Sequence, residues 1–132
     1  MGYRVLQGKI ILDDVDDLIP CFEKLGLRSA WVSLPFYHLS LYARITRRLL
    51  GDDAQDSIDV ATVDIDPGHR SKGNLRRFLT RIEHVADEVN RFVYVECVNN
   101  KRLLKHLTTK RGYVQAIRSD PYSVWRDTRA TG

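Results

Sequence analysis

Apolar residues at Leu75, Phe78, Leu79, Ile82, Val85, Ala86 and Val89 recur at steps of three and four, which predicts an amphipathic helix. The apolar series Val60, Val63 and Ile65 just before it predicts a strand, and Pro67 and Gly68 break the one from the other. Residues 92–98 form an apolar strand, followed by a helix headed by Asn100. Towards the N-terminus, residues 2–12 predict a strand interrupted at Gly8. Val15, Leu18, Ile19, Phe22 and Leu25 then form a helical stripe capped by Asp13 or Asp14 and stopped at Gly26. A proline inside a helix costs about 3 kcal/mol, so Pro20 makes this element short, with its start near Ile19, or kinked. Residues 31–36 are apolar and end at Pro35. Residues 37–50 place Leu41, Ile45 and Leu49 on one side and Arg44, Arg47 and Arg48 towards the other, which predicts a second helix ended by Gly51. Near the C-terminus, residues 112–117 and 122–126 alternate like a closing hairpin around Ser119, Asp120 and Pro121, and residues 128–132 fray.

The chemistry concentrates at the break between the strand at Val63–Ile65 and the helix at Leu75. The first N–H groups of a helix lack intrahelical partners, Gly73 lets an anion approach the main chain, and Arg70, Lys72 and Arg76 add positive charge. A pyrophosphate fits this combination.

Arg70-Ser71-Lys72-Gly73-Asn74-Leu75 resembles the acyl-CoA-binding signature of GNAT-type N-acetyltransferases: Arg or Gln, two residues, Gly, one residue, then Gly or Ala. A second block follows in the expected order, the strand at residues 92–98 and an Asn-headed helix from Asn100 that closes on Arg111-Gly112-Tyr113. The resemblance covers residues 58–117. It implies an α/β (α+β) fold with a mixed central sheet flanked by helices, acetyl-CoA as co-substrate, and direct acetyl transfer to an amine. It further implies that the acetyl carbonyl sits against main-chain N–H groups near Val63 to Ile65, the phosphates against Arg70, Ser71, Lys72, Gly73, Asn74 and Leu75, and the pantetheine arm against Asn100. Asn100 is equally a helix N-cap, with Asn99 competing for that role.

Three departures qualify the resemblance. Leu75 replaces the last small residue of the signature, and Leu107 stands nearest the place where the family often carries a Tyr that protonates the departing thiolate. Only seven residues, 51–57, separate the predicted second helix from the motif strand. They leave no room for a strand pair, so the N-terminal half of the sheet should be abbreviated.

The candidates for a general base are Glu96, between Val95 and Cys97, and Asp64, whose alternation with Val63 and Ile65 equally makes it a solvent-facing strand residue. His69 and His106 read more readily as surface residues, although His106 adjoins Leu107. No set of His, Cys, Asp and Glu has metal-ligand spacing, and no Ser lies beside a base as in a hydrolytic triad. Cys21 and Cys97 sit among apolar residues and read as buried reduced thiols.

A chain of 132 residues predicts a single domain, 1–132, and no stretch is long enough to span a bilayer. The start lacks a signal-peptide pattern, so the cytoplasm is the default. A net charge of +4 gathers around residues 44–48, 69–81 and 101–111, whereas acids cluster at residues 13–17 and 52–59, where the former could attract a cationic acceptor. Aromatics do not alternate with the basic residues, which disfavours a nucleic-acid partner. Two alternatives to an acetyltransferase stay open. One is a catalytically silent GNAT-like interaction or structural protein, since residues 95–113 also look similar to small GNAT-like proteins of tailed phages, some of them virion or host-takeover components. The other is a nucleic-acid-binding module. A homo-oligomer or larger assembly also stays open.

Overall fold

The computed structural model describes residues 2–50, 53–70, 72–96, 100–117 and 120–126. Strands β1 (Tyr3–Leu6) and β2 (Lys9–Leu12) form a hairpin, and positive φ at Gln7 (52°) and Gly8 (76°) gives the two-residue turn whose twist matches the flanking strands. The predicted first strand is therefore two strands folded back on each other. Helix α1 (Leu18–Leu25) follows a 3-10 turn (Val15–Asp17) capped by Asp14, and Gly26 closes it in the left-handed conformation. Pro20 falls in the first turn of α1, where its missing N–H costs nothing, so the helix is short as expected. β3 (Ser29–Leu34) ends at a second 3-10 turn, Pro35–Tyr37.

The largest correction concerns residues 37–50. They are not a helix but the long strand β4 (Leu39–Leu50), which pairs antiparallel with β5 (Asp53–Ile65) from Leu39↔Ile65 to Leu50↔Asp53. Leu41, Ile45 and Leu49 are spaced by four, an even step that fits a strand as well as a helix. The deciding signal is that Leu39, Leu41 and Ala43 are buried while Ser40, Tyr42 and Arg44 occupy the other parity. The sheet is accordingly not abbreviated. Asp53 to Ser57 extend the motif strand backwards and supply the strand pair that seven polar residues seemed unable to provide. Helix α2 (Asn74–Glu88), β6 (Phe92–Val95), α3 (Lys101–Lys110), β7 (Val114–Ile117) and β8 (Asp120–Arg126) complete a mixed eight-stranded sheet of order β1-β2-β3-β4-β5-β6-β8-β7. Its parallel pairs are β2 with β3 and β5 with β6. β7 and β8 form the expected hairpin, but Asp120 and Pro121, expected in its turn, are the first residues of β8, with Asp120 paired to Ile117. Gly51, Cys97, Asn99, Ser119 and residues 128–132 lie outside the described residues.

One face of the sheet makes the main core, with Leu12, Val32, Leu41, Ile58, Val60, Val93 and Val124 packed against Leu18 and Phe22 of α1, Phe78 and Ile82 of α2 and Leu107 of α3. The opposite parity forms a row across the sheet in which Arg44, Asp59, Tyr94 and Trp125 are successive register partners. Phe92 stacks on Trp125 there, with ring centroids 4.8 Å apart. Cys21 is fully buried, and burial raises its thiol pKa, in keeping with a reduced structural thiol.

Candidate cofactor and acceptor clefts

The turn between β5 and α2 is built to hold its shape. The N–H of Asp66 donates to the His38 carbonyl (2.8 Å), the N–H of His69 donates to that of Asp66 (3.0 Å), and the His38 and His69 rings stack 3.6 Å apart. Buried Asn74 donates its side-chain amide to the His69 carbonyl (3.0 Å) and accepts from Arg77. Gly73 caps α2 at φ +81°, a conformation that strains any residue with a Cβ. No acidic residue stands in the first turn of α2, where the free N–H groups and Arg76 face an opening.

That opening is a cleft of about 640 Å³ lined by the turn and by α3, including Arg70, Arg76, Asn100, Arg102 and His106. It gathers Val63, Asp64, Ile65, Arg70, Gly73, Asn74, Leu75 and Asn100 from the predicted set. Lys72 is exposed beside it, and Ser71 lies outside the described residues. Leu75 is half-buried in the lining. Asn100 resolves the capping question, since its side chain accepts from the N–H groups of Arg102 (3.0 Å) and Leu103 (3.2 Å).

A second cleft of about 560 Å³ adjoins the first and shares Val63, Asn100 and Leu103 with it. The junction coincides with an irregularity in the β4–β5 ladder. Ser40 pairs with Asp64 and Tyr42 with Ala61, so Thr62 and Val63 together oppose Leu41 in a β-bulge. Thr62 has φ +49°, a costly setting for a β-branched residue and one typical of functional sites. On the other side of β5 the recorded pairing with β6 ends at Val60↔Val95, with one further bond from the Glu96 N–H to the Val60 carbonyl (3.0 Å). The bulge and the last β5–β6 pair thus flank the point where the two clefts meet.

The second cleft is lined by Trp31 and Tyr42, packed edge to face at 5.1 Å, and by Arg44 and Glu96. Arg44 binds Oε2 of Glu96 and lies 3.7 Å from Asp59, while Arg48 donates to Asp59 (2.7 Å) and stacks over Tyr94 at 4.1 Å. Asp59 is fully buried. Desolvation raises its pKa against the opposing pull of Ser57, Arg48 and Arg44. Sequence analysis grouped Arg44 and Arg48 only as the basic face of a helix, and the strand β4 instead sets Tyr42, Arg44 and Arg48 on one face of the sheet, beside Trp31 of β3 and Asp59 of β5. Period-two alternation over residues 39–45 was the available signal.

Of the two base candidates, Glu96 lines the second cleft with its side chain 28% exposed. Asp64 lies at the other cleft, 72% exposed and 3.6 Å from Arg70, which matches its solvent-facing reading. Leu107 is fully buried in the core. His106, expected at the surface, is half-buried in the first cleft, and its Nε2 has no hydrogen-bond partner among the described residues. Burial, then Arg111 and Arg76, lower its pKa. The N-terminal acids are engaged structurally, since Asp16 pairs with Arg81 of α2 and Asp14 accepts from the Tyr37 hydroxyl (2.8 Å). Among the described residues no group of three or more His, Cys, Asp or Glu side chains could hold a metal, and no helix is long and apolar enough to cross a membrane.

No protein-family model matches the chain, and no curated protein matches it by sequence. Solved structures do. The chain superimposes on the AtaT protein complexed with acetyl-methionyl-tRNAfMet with a TM-score of 0.60 at 9% identity, covering 87% of this chain and 79% of that one. It matches a tyrosine-to-phenylalanine variant of the AtaT toxin, bound to the C-terminus of the antitoxin AtaR and acetyl-CoA, at 0.57 and 11% identity, covering 86% and 75%. A chain of the KacTA–DNA complex matches at 0.53 and 13% identity. Here 70% of this chain spans 59% of the other.

Proposed function

From the GNAT fold that this chain shares with the AtaT and KacT toxins, we propose that it is an acetyl-CoA-dependent N-acetyltransferase acting by direct transfer to an amine. The observation that carries the proposal is the pair of clefts meeting at Val63, Asn100 and Leu103. Two reactants held in adjoining clefts meet without the entropic cost of a bimolecular encounter. The cofactor would lie in the cleft under α2, its phosphates at the N–H groups of the first turn of α2 and beside Arg70 and Arg76. Its acetyl carbonyl would sit against the backbone at the Thr62–Val63 bulge. The amine would enter from the cleft of Trp31, Tyr42 and Glu96. Glu96, in that cleft, would take the amine proton, directly or through a water, and the exposure of Asp64 makes it the weaker candidate.

Thermal unfolding with and without acetyl-CoA tests the cofactor site. At about 100 times the dissociation constant, a ligand adds roughly 2.7 kcal/mol, which raises the midpoint of a domain this size by about 10 °C. Gly73→Glu should abolish that shift, because it places a carboxylate at the N–H groups a phosphate needs. A wild-type protein with no shift would sink the proposal.

The burial of Leu107 favours one competing view, that of a GNAT scaffold without chemistry. Leu107→Tyr, which inserts the hydroxyl the family often uses, should overpack the core by about 1–3 kcal/mol without raising turnover. A stable and faster variant would show that the acid role does belong at this position.

A further inference from the structure

We propose that Arg77 is a positioning residue for the diphosphate of acetyl-CoA, gripping the β5–α2 turn from outside the cleft and holding its N–H groups ready for the ligand. The inference rests on the reading of the cleft under α2 as the cofactor site. Gly73, Asn74, Leu75 and Arg76 line that cleft, whereas Arg77 does not, so Arg77 acts through its neighbours. Its guanidinium forks across the turn, with Nη1 donating to the Lys72 carbonyl (3.3 Å) and Nη2 to Oδ1 of Asn74. Asn74 is 3% exposed and passes the restraint on, because its amide nitrogen donates to the His69 carbonyl (3.0 Å). One arginine thus ties residues 69, 72 and 74 together. Gly73 serves the same grip, since a Cβ there would stand 3.2 Å from Nη1.

These bonds decide what the turn offers an anion. The carbonyls of His69 and Lys72, which would repel a phosphate, are held by Asn74 and Arg77. The N–H groups of Asn74, Leu75 and Arg76 precede the first helical bond, from the Arg77 N–H to the Gly73 carbonyl (3.0 Å), and no side chain caps α2. Hydrogen bonds weaken steeply with misalignment, so a turn already held in one shape binds a diphosphate without the cost of ordering it. Arg70 and Arg76, in the cleft lining, supply charge, and Arg77 adds geometry.

The test uses the full chain with Arg77→Ala, Asn74→Ala, the double variant and Arg77→Lys. Its two ligands are acetyl-CoA and S-acetylpantetheine, which lacks the diphosphate. Arg77→Ala should weaken acetyl-CoA about tenfold, the worth of one misaligned hydrogen bond to a charged group, and leave S-acetylpantetheine unchanged. Asn74→Ala should do the same, and the double variant should bind no more weakly than the worse single one, because both changes cut one relay. Arg77→Lys keeps the charge but not the fork, so it should stay nearer to Arg77→Ala than to wild type. Hydrogen exchange of the ligand-free proteins reads the grip itself. The His69 amide, bonded to the Asp66 carbonyl (3.0 Å), should exchange at least about tenfold faster in both single variants. Equal weakening of both ligands, additive losses, full recovery in Arg77→Lys or unchanged exchange would each overturn the proposal. Wild-type protein that binds no acetyl-CoA, with the exchange result intact, would remove the cofactor reading and the proposal with it while leaving the grip as a structural feature.

Discussion

Glu96→Gln is expected to lower the acetylation rate by about 10²–10⁴-fold, the usual contribution of a positioned general base. The substitution is close to isosteric, and its amide oxygen can still accept from Arg44, so the network of Arg44, Arg48 and Asp59 should persist. The acetyl-CoA thermal shift should also persist, because Glu96 lines the acceptor cleft and not the cofactor cleft. A structural role for Glu96 predicts a different pattern, with lower stability and a rate that falls only in proportion to folded protein. The discriminating measurement is the pH profile of kcat/KM. Loss of its acid-side limb together with a full thermal shift would assign the base. An unchanged rate and profile would move proton transfer to bulk water.

How much of this was legible in the sequence depends on which periodicities were ambiguous. The α2 stripe could be read only one way, since Phe78, Leu79, Ile82, Val85 and Ala86 combine steps of three and four, and all are buried on one face. The basic glycine turn was readable for the same local reason: a φ of +81° at the cap of α2 calls for a residue without a Cβ. β4 was not readable from its apolar residues, because Leu41, Ile45 and Leu49 satisfy both periods. Misassigning it removed half of the proposed acceptor cleft. Asn100 shows a different limit, since its cap bonds are local and were foreseen, whereas any contact with a cofactor depends on what the helix end faces. Tertiary neighbours made Glu96 ambiguous too, because Arg44 lies 52 residues away and only the β4–β5–β6 register brings them together.

The same register explains why the proposed acceptor cleft sits where it does. Arg44, Asp59 and Tyr94 occupy one row of the sheet, so a charge cluster that would be costly alone is satisfied across three strands. Glu96, two residues beyond Tyr94, points from the same parity into the space where the β5–β6 ladder ends. In the proposed reading, the acceptor half of the site is inherited from strand pairing rather than from a local motif, and the glycine turn supplies only the cofactor half.

Glu83 should prove the most sensitive position for stability outside the apolar core. It sits on the inner face of α2 and accepts Nε and Nη2 of Arg111, each at 2.9 Å, and the hydroxyl of buried Tyr113 at 2.9 Å. Arg111 is itself only 13% exposed, so removal of the carboxylate would strand a guanidinium and a phenol that water reaches poorly. Breaking such a pair from one side costs about 3–5 kcal/mol, and Glu83→Ala is expected to fall in that range. Because Arg111 and Tyr113 follow α3 directly, the loss also frees α3 from α2 and widens the cofactor cleft between them. The acetyl-CoA shift should therefore shrink in Glu83→Ala even where the protein remains folded. Glu83→Gln, which keeps an acceptor oxygen for Tyr113 but not the charge, should fall between the two. A denaturant titration of the three proteins decides the matter: a Glu83→Ala protein within about 1 kcal/mol of wild type would mean that the contact is as weak as a surface ion pair, and that core packing alone holds α3 in place.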